Sequence, residues 1–141
     1  MTKLKAGVYY IGDPCYVWPP DPNGKTMDWG DFVDLFYRYQ GGALHIGTDA
    51  GFSTMWAENT AYGDGEYVVR DGRTVLGNIG VDAGMIAVIP AELFDYLKSI
   101  EPSRYGDRLD GLYCKVEMPT DFDVEFEGET FYIGGIHIYT G

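Results

Sequence analysis

The chain has 141 residues, 45% of them hydrophobic, and 22 acidic against 10 basic residues give it a formal net charge of −12. That length suits one domain, 1–141, whose core needs no disulfide or metal. That charge excludes a nonspecific binder of nucleic acid or anionic lipid, because the phosphates would be repelled.

Twelve Tyr, seven Phe and three Trp accompany twenty Gly and seven Pro. Aromatic side chains favour pleated, half-buried surfaces, and the glycines imply many turns, so strands are expected to outnumber helices. The opening Met1-Thr2-Lys3-Leu4-Lys5 carries charge without the apolar run of a signal peptide. No stretch approaches the ~20 apolar residues of a membrane span. Cys15 and Cys114 are the two cysteines, and without an export signal they are expected as free thiols in a reducing cytoplasm.

In chain order, 6–11 reads as a strand closed by Gly12-Asp13-Pro14, since a proline pushes the residue before it out of helical space. Cys15–Trp18 reads as a short extended piece, followed by a Pro- and Gly-rich surface loop at Pro19–Gly24. Trp29, Phe32, Val33, Phe36 and Tyr37 recur at helical spacing behind the N-cap candidate Asp28, which predicts a helix over about 28–40. Ala43–Ile46 and Phe52–Trp56 read as short strands. Two strand-like runs, 67–70 and 73–76, flank Asp71-Gly72, the strongest short hairpin signal because both loop residues tolerate positive φ. Met85–Ile89 is an apolar run of buried-strand length. Pro90 then opens a second predicted helix, about 90–100, with Leu93, Phe94, Leu97 and Ile100 on one face.

Glu101–Asp110 is polar and expected as loop, and Leu112–Met118 as a strand. Over 121–128, Phe122, Val124 and Phe126 alternate with acids, the pattern of a half-buried strand. Phe131–Thr140 pairs back, with Gly134-Gly135 as a candidate β-bulge where the apolar parity shifts. The expected fold is α+β, a largely antiparallel β-sheet or partly closed barrel of about seven to nine strands with two helices.

Three stretches place an aspartate among glycines at the edge of an apolar run: Gly12-Asp13-Pro14-Cys15, Gly63-Asp64-Gly65 and Val81-Asp82-Ala83-Gly84. The three are expected to converge. A nucleophilic Cys15 would need His45 or His137 as base, because only a thiolate attacks, and nothing in the sequence places a histidine beside it. A site of Asp13, Asp64, Asp82 and Glu66 offers oxygen ligands suited to Ca²⁺ or Mg²⁺, yet no Ca²⁺-loop or zinc spacing is present. Each aspartate can equally bond its own backbone in an Asx turn, so no cofactor is expected. The glycine pairs lack a complete phosphate-loop pattern, although aromatics with Arg70, Arg73 or Arg104 could hold a nucleotide in a local pocket. The acids at 121–129 suit either a basic protein or a solvated edge strand.

Gly-Asp-Pro-Cys-Tyr-Val at 12–17, Thr-Ala-Tyr-Gly-Asp-Gly at 60–65 and Val-Asp-Ala-Gly-Met-Ile at 81–86, with Pro90, resemble a family of uncharacterised small bacterial and phage proteins. The resemblance covers roughly residues 6–95 and supplies no catalytic residues. It implies a bacterial or phage setting, and in that setting a host-defence antagonist that blocks a host protein or sequesters a nucleotide signal.

The expected function is therefore non-catalytic binding of a small, nucleotide-like ligand or a basic host protein, in the host cytoplasm and as a homo-oligomer. Asp13, Tyr16, Thr60, Tyr62, Asp64 and Asp82 are the expected ligand-binding residues. The alternative is a small hydrolase acting through Asp13, Asp82 or Cys15, with a divalent cation.

Overall fold

A computed structural model describes residues 2–16, 30, 33–34, 42–45, 54–100 and 112–141. Its eleven strands form two antiparallel sheets. They are β1 (Thr2–Leu4), β2 (Gly7–Gly12), β3 (Gly42–His45), β4 (Thr54–Asn59), β5 (Gly65–Asp71), β6 (Thr74–Val81), β7 (Met85–Pro90), β8 (Cys114–Met118), β9 (Phe122–Glu127), β10 (Thr130–Ile133) and β11 (Ile136–Tyr139). One sheet runs β1-β9-β10-β11-β5-β6, the other β3-β4-β7-β2-β8.

The core lies between the two sheets, where every second residue of each strand must face inward. Ile11, Ile86, Val88 and Val116 come from the five-stranded sheet; Val69, Val124, Phe131 and Ile138 come from the six-stranded one. Edge-to-face aromatic pairs join them, Tyr9 on Phe122 at 5.2 Å and Trp56 on Phe131 at 5.6 Å. Such pairs add about 0.5–1.5 kcal/mol each beyond the area they bury.

β7 is buried along its whole length, which explains its unbroken apolar sequence. One of its faces meets the inter-sheet core, and the other lies under the helix Ala91–Ile100, which packs on β2 and β7. Leu93 and Phe94 fill that contact, with Phe94 stacked on Tyr10 at 4.4 Å.

Some expectations need correction. The sheets do not close into a barrel, and the described strands exceed seven to nine. Residues 14–16 form a 3-10 turn rather than an extended piece. Gly134-Gly135 is a tight turn between two strands, with Gly134 at φ +58°, not a bulge within one. The turn after β5 is Gly72-Arg73, because Asp71 still pairs with Thr74, and the register shift lies at Val69/Arg70. The acidic strand β9 is internal, bonded to both β1 and β10, so its charges do not guard an edge.

Of the expected 28–40 helix only Gly30, Val33 and Asp34 fall within the described residues, and they are helical. The loops at 19–24 and 101–110 lie outside the described residues. No helix among the described residues is long and apolar enough to cross a membrane.

Candidate functional site

The three aspartate stretches do meet, at one corner where the chain passes between sheets. Asp13 follows β2 in the five-stranded sheet. Residues 60–64 carry the chain from β4 to β5, and residues 82–84 return it from β6 to β7. Each crossing leaves backbone groups outside a ladder, and a buried orphan costs about 1–3 kcal/mol.

Asp13 meets that demand. Its side chain is 0% exposed, one oxygen accepts the Cys15 N–H at 2.8 Å, and the other accepts the N–H of Asp82 at 2.6 Å and of Ala83 at 2.7 Å. Its own carbonyl accepts the Tyr113 hydroxyl at 2.7 Å. Gly12 makes room for this, since a Cβ there would strike the Tyr113 ring and lie 2.9 Å from the Leu112 carbonyl oxygen. Asp13 thus begins as an Asx turn and ends as a clamp across 70 residues of sequence.

Threonines complete the corner. The buried Thr60 accepts the Gly63 N–H at 2.9 Å and donates to the Gly63 carbonyl at 2.7 Å, while its own N–H donates to Gly84 at 2.9 Å. Thr140, 0% exposed, accepts the Ala61 N–H through its hydroxyl at 3.1 Å. Its carbonyl accepts the Tyr62 N–H at 2.7 Å. Sequence reasoning missed Thr140, because a lone threonine at a strand end carries no local signal for so distant a partner.

Of the expected site residues, Asp13 and Thr60 are buried, whereas Asp64, Asp82 and Tyr62 are exposed. Tyr16 has only its backbone described. Cys15 is half-buried beside the fully buried Asp13. Burial, a hydrogen bond to Asp13 and the negative charges of Asp13, Asp82 and Asp64 all push the Cys15 thiol far above the usual thiol range. Such a thiol stays protonated and is a poor nucleophile. Among the described residues the groups acting on it are carboxylates, not a histidine. His137 lies on β11 in the other sheet, and the side chain of His45 falls outside the described residues. Among the described residues no set of three or more His, Cys, Asp or Glu is placed to hold a metal.

A second feature lies beside this corner, on the outer face of the six-stranded sheet. Tyr62, Glu66, Val68, Arg70, His137 and Tyr139 line an open groove of about 500 Å³. Alternation explains it: Tyr67 and Val69 of β5 and Ile136 and Ile138 of β11 are buried, so the residues between them face out. Arg70 and His137 are direct cross-strand partners, which sets their side chains side by side. Tyr62 is 75% and Tyr139 61% exposed. The Tyr139 hydroxyl donates to Glu129 at 3.0 Å, and that contact raises its pKa. Among the described residues Arg70 makes no ion pair. Arg73 does not line the groove, and Arg104 lies outside the described residues.

Protein-family models, curated proteins and solved structures were compared with the chain, and none matches.

Asp13→Asn replaces one acceptor oxygen with an amide that faces donors. It is expected to destabilise the protein by about 2–4 kcal/mol, read as a lower urea midpoint; an unchanged midpoint would contradict the clamp. Iodoacetamide at mildly alkaline pH should modify Cys15 in the folded chain at least about ten-fold more slowly than in urea. Equal rates, measured on the Cys15 peptide by mass spectrometry, would mean the thiol is not held protonated.

Proposed function

We propose that the protein binds a small, planar, anionic ligand of nucleotide type in the β5–β11 groove and releases it chemically unchanged. The observation that carries this reading is the pairing of two exposed tyrosines with the Arg70–His137 cross-strand pair in one groove. Exposed aromatics offer faces on which a base can stack, worth about 1–3 kcal/mol per base. A guanidinium with no ion-pair partner among the described residues, set beside an imidazole, suits a phosphate. In a chain of net charge −12, most of the surface repels anions, so the Arg70 guanidinium set between aromatics favours an anion at that place.

The corner supports a non-catalytic role. Both oxygens of Asp13 are engaged by backbone N–H groups, and the Cys15 thiol is held protonated. Of the six expected ligand-binding residues, Tyr62 keeps that role here, while Asp13 and Thr60 act by holding the loop that carries it. This favours sequestration of a ligand over the hydrolase alternative and over blocking of a basic host protein. Free Cys15 and Cys114 are in keeping with the cytoplasm of a bacterial host, where an antagonist of a nucleotide signal would act.

Calorimetric titration with nucleoside monophosphates tests the reading. Tyr62→Ala and Arg70→Ala, both at exposed positions, should each weaken binding by on the order of ten-fold without lowering the urea midpoint. The ligand recovered after heat denaturation should be intact. Wild-type affinity in both variants, or turnover of the ligand, would overturn the proposal.

A further inference from the structure

We infer that the groove selects a guanine nucleotide, with Glu66 reading the base edge and Arg70 with His137 holding the phosphate. This deepens the nucleotide reading above and rests on it.

The groove has two unlike ends. Glu66 and Arg70 stand on the same outward face of β5, and four residues of strand separate them by about 13 Å. Tyr62 belongs to the Glu66 end, since a Cβ on Gly65 would lie 3.9 Å from its ring. His137 belongs to the Arg70 end as its cross-strand partner. Tyr139 sits on the same face of β11 as His137, and the antiparallel direction carries it towards the Glu66 end. The tyrosines therefore flank the acidic end, and Arg70 with His137 lies at the other. A ligand lying along the groove places its ring beside Glu66 and its anion beside Arg70.

The chemistry of a carboxylate then narrows the ring. An ionised carboxylate only accepts hydrogen bonds, through two oxygens side by side. Its best partner is an edge with two adjacent N–H donors. Guanine presents these at N1–H and its exocyclic amine. Adenine and cytosine set an acceptor nitrogen next to the amine, hypoxanthine lacks the amine, and uracil flanks its N–H with carbonyl oxygens. A site that demands a donor discriminates against the analogue without it more strongly than shape alone can.

The experiment is calorimetric titration of the full chain and its Glu66→Gln and Arg70→Ala variants. The probes are the guanosine, inosine, adenosine and uridine monophosphates, with guanosine as the phosphate-free control. Guanosine monophosphate should bind the wild type on the order of ten-fold more tightly than the other monophosphates, one hydrogen bond to a charged group being worth about 1.5–3 kcal/mol. Glu66→Gln should erase that preference while binding inosine monophosphate as before. Guanosine should bind the wild type more weakly than its monophosphate, and Arg70→Ala should remove the difference. Equal affinity of the wild type for all four monophosphates, or a preference that survives Glu66→Gln, would overturn the guanine assignment and leave the nucleotide reading standing. Failure of every monophosphate to bind would overturn both.

Discussion

A buried carboxylate accepting three backbone N–H groups holds the two sheets in register at one corner. Taking the charge of Asp13 out of water costs several kcal/mol, and the three charge-assisted bonds offset it, at about 1.5–3 kcal/mol each. The donors come from two separate places, Cys15 beside it and Asp82 with Ala83 from the β6–β7 crossing. Without that acceptor the crossing would leave part-buried N–H groups without this partner. Asparagine has a donor where an acceptor is required, so aspartate suits this position for its two acceptor oxygens. Gly12, against the Tyr113 ring, is the matching steric requirement.

The groove depends on this corner at one remove. Thr60 and Thr140 fasten the β4–β5 crossing, and Tyr62 rides on it. The direction in which the tyrosine ring projects over β5 is thus set by hydrogen bonds made on the other side of the loop. In the proposed reading the corner fixes the chain and the groove takes the ligand. The carboxylates that hold the Cys15 thiol protonated would also turn an anion away from the corner.

Much of the framework was legible in the sequence. The unbroken apolar run of β7 and the Leu93–Phe94 face of the Ala91–Ile100 helix follow directly from period and burial. The Gly-Asp turns share a strand-end pattern that suggested a common place without fixing it, since a strand-end turn used several times gives the same pattern. Their depth was not legible. Asp13 is buried because the N–H groups of residues 82 and 83 reach it from a distant crossing, and no local pattern encodes that. The groove was harder still. Arg70 and His137 face the same way by simple alternation, but β5 and β11 become neighbours only through sheet order, 67 residues apart in the chain. Gly134-Gly135 misled for a related reason: a parity shift looks the same whether it comes from a bulge or from a tight turn.

The proposed function divides the molecule into a corner that builds and a groove that binds. Amide chemical shifts of the isotopically labelled protein, titrated with guanosine monophosphate, test it most directly. The largest changes should fall at Tyr62, Glu66, Arg70, His137 and Tyr139, with Cys15, Asp82 and Ala83 left nearly still. Changes centred on Asp13, Asp64 and Asp82, with the β5–β11 face unmoved, would contradict it.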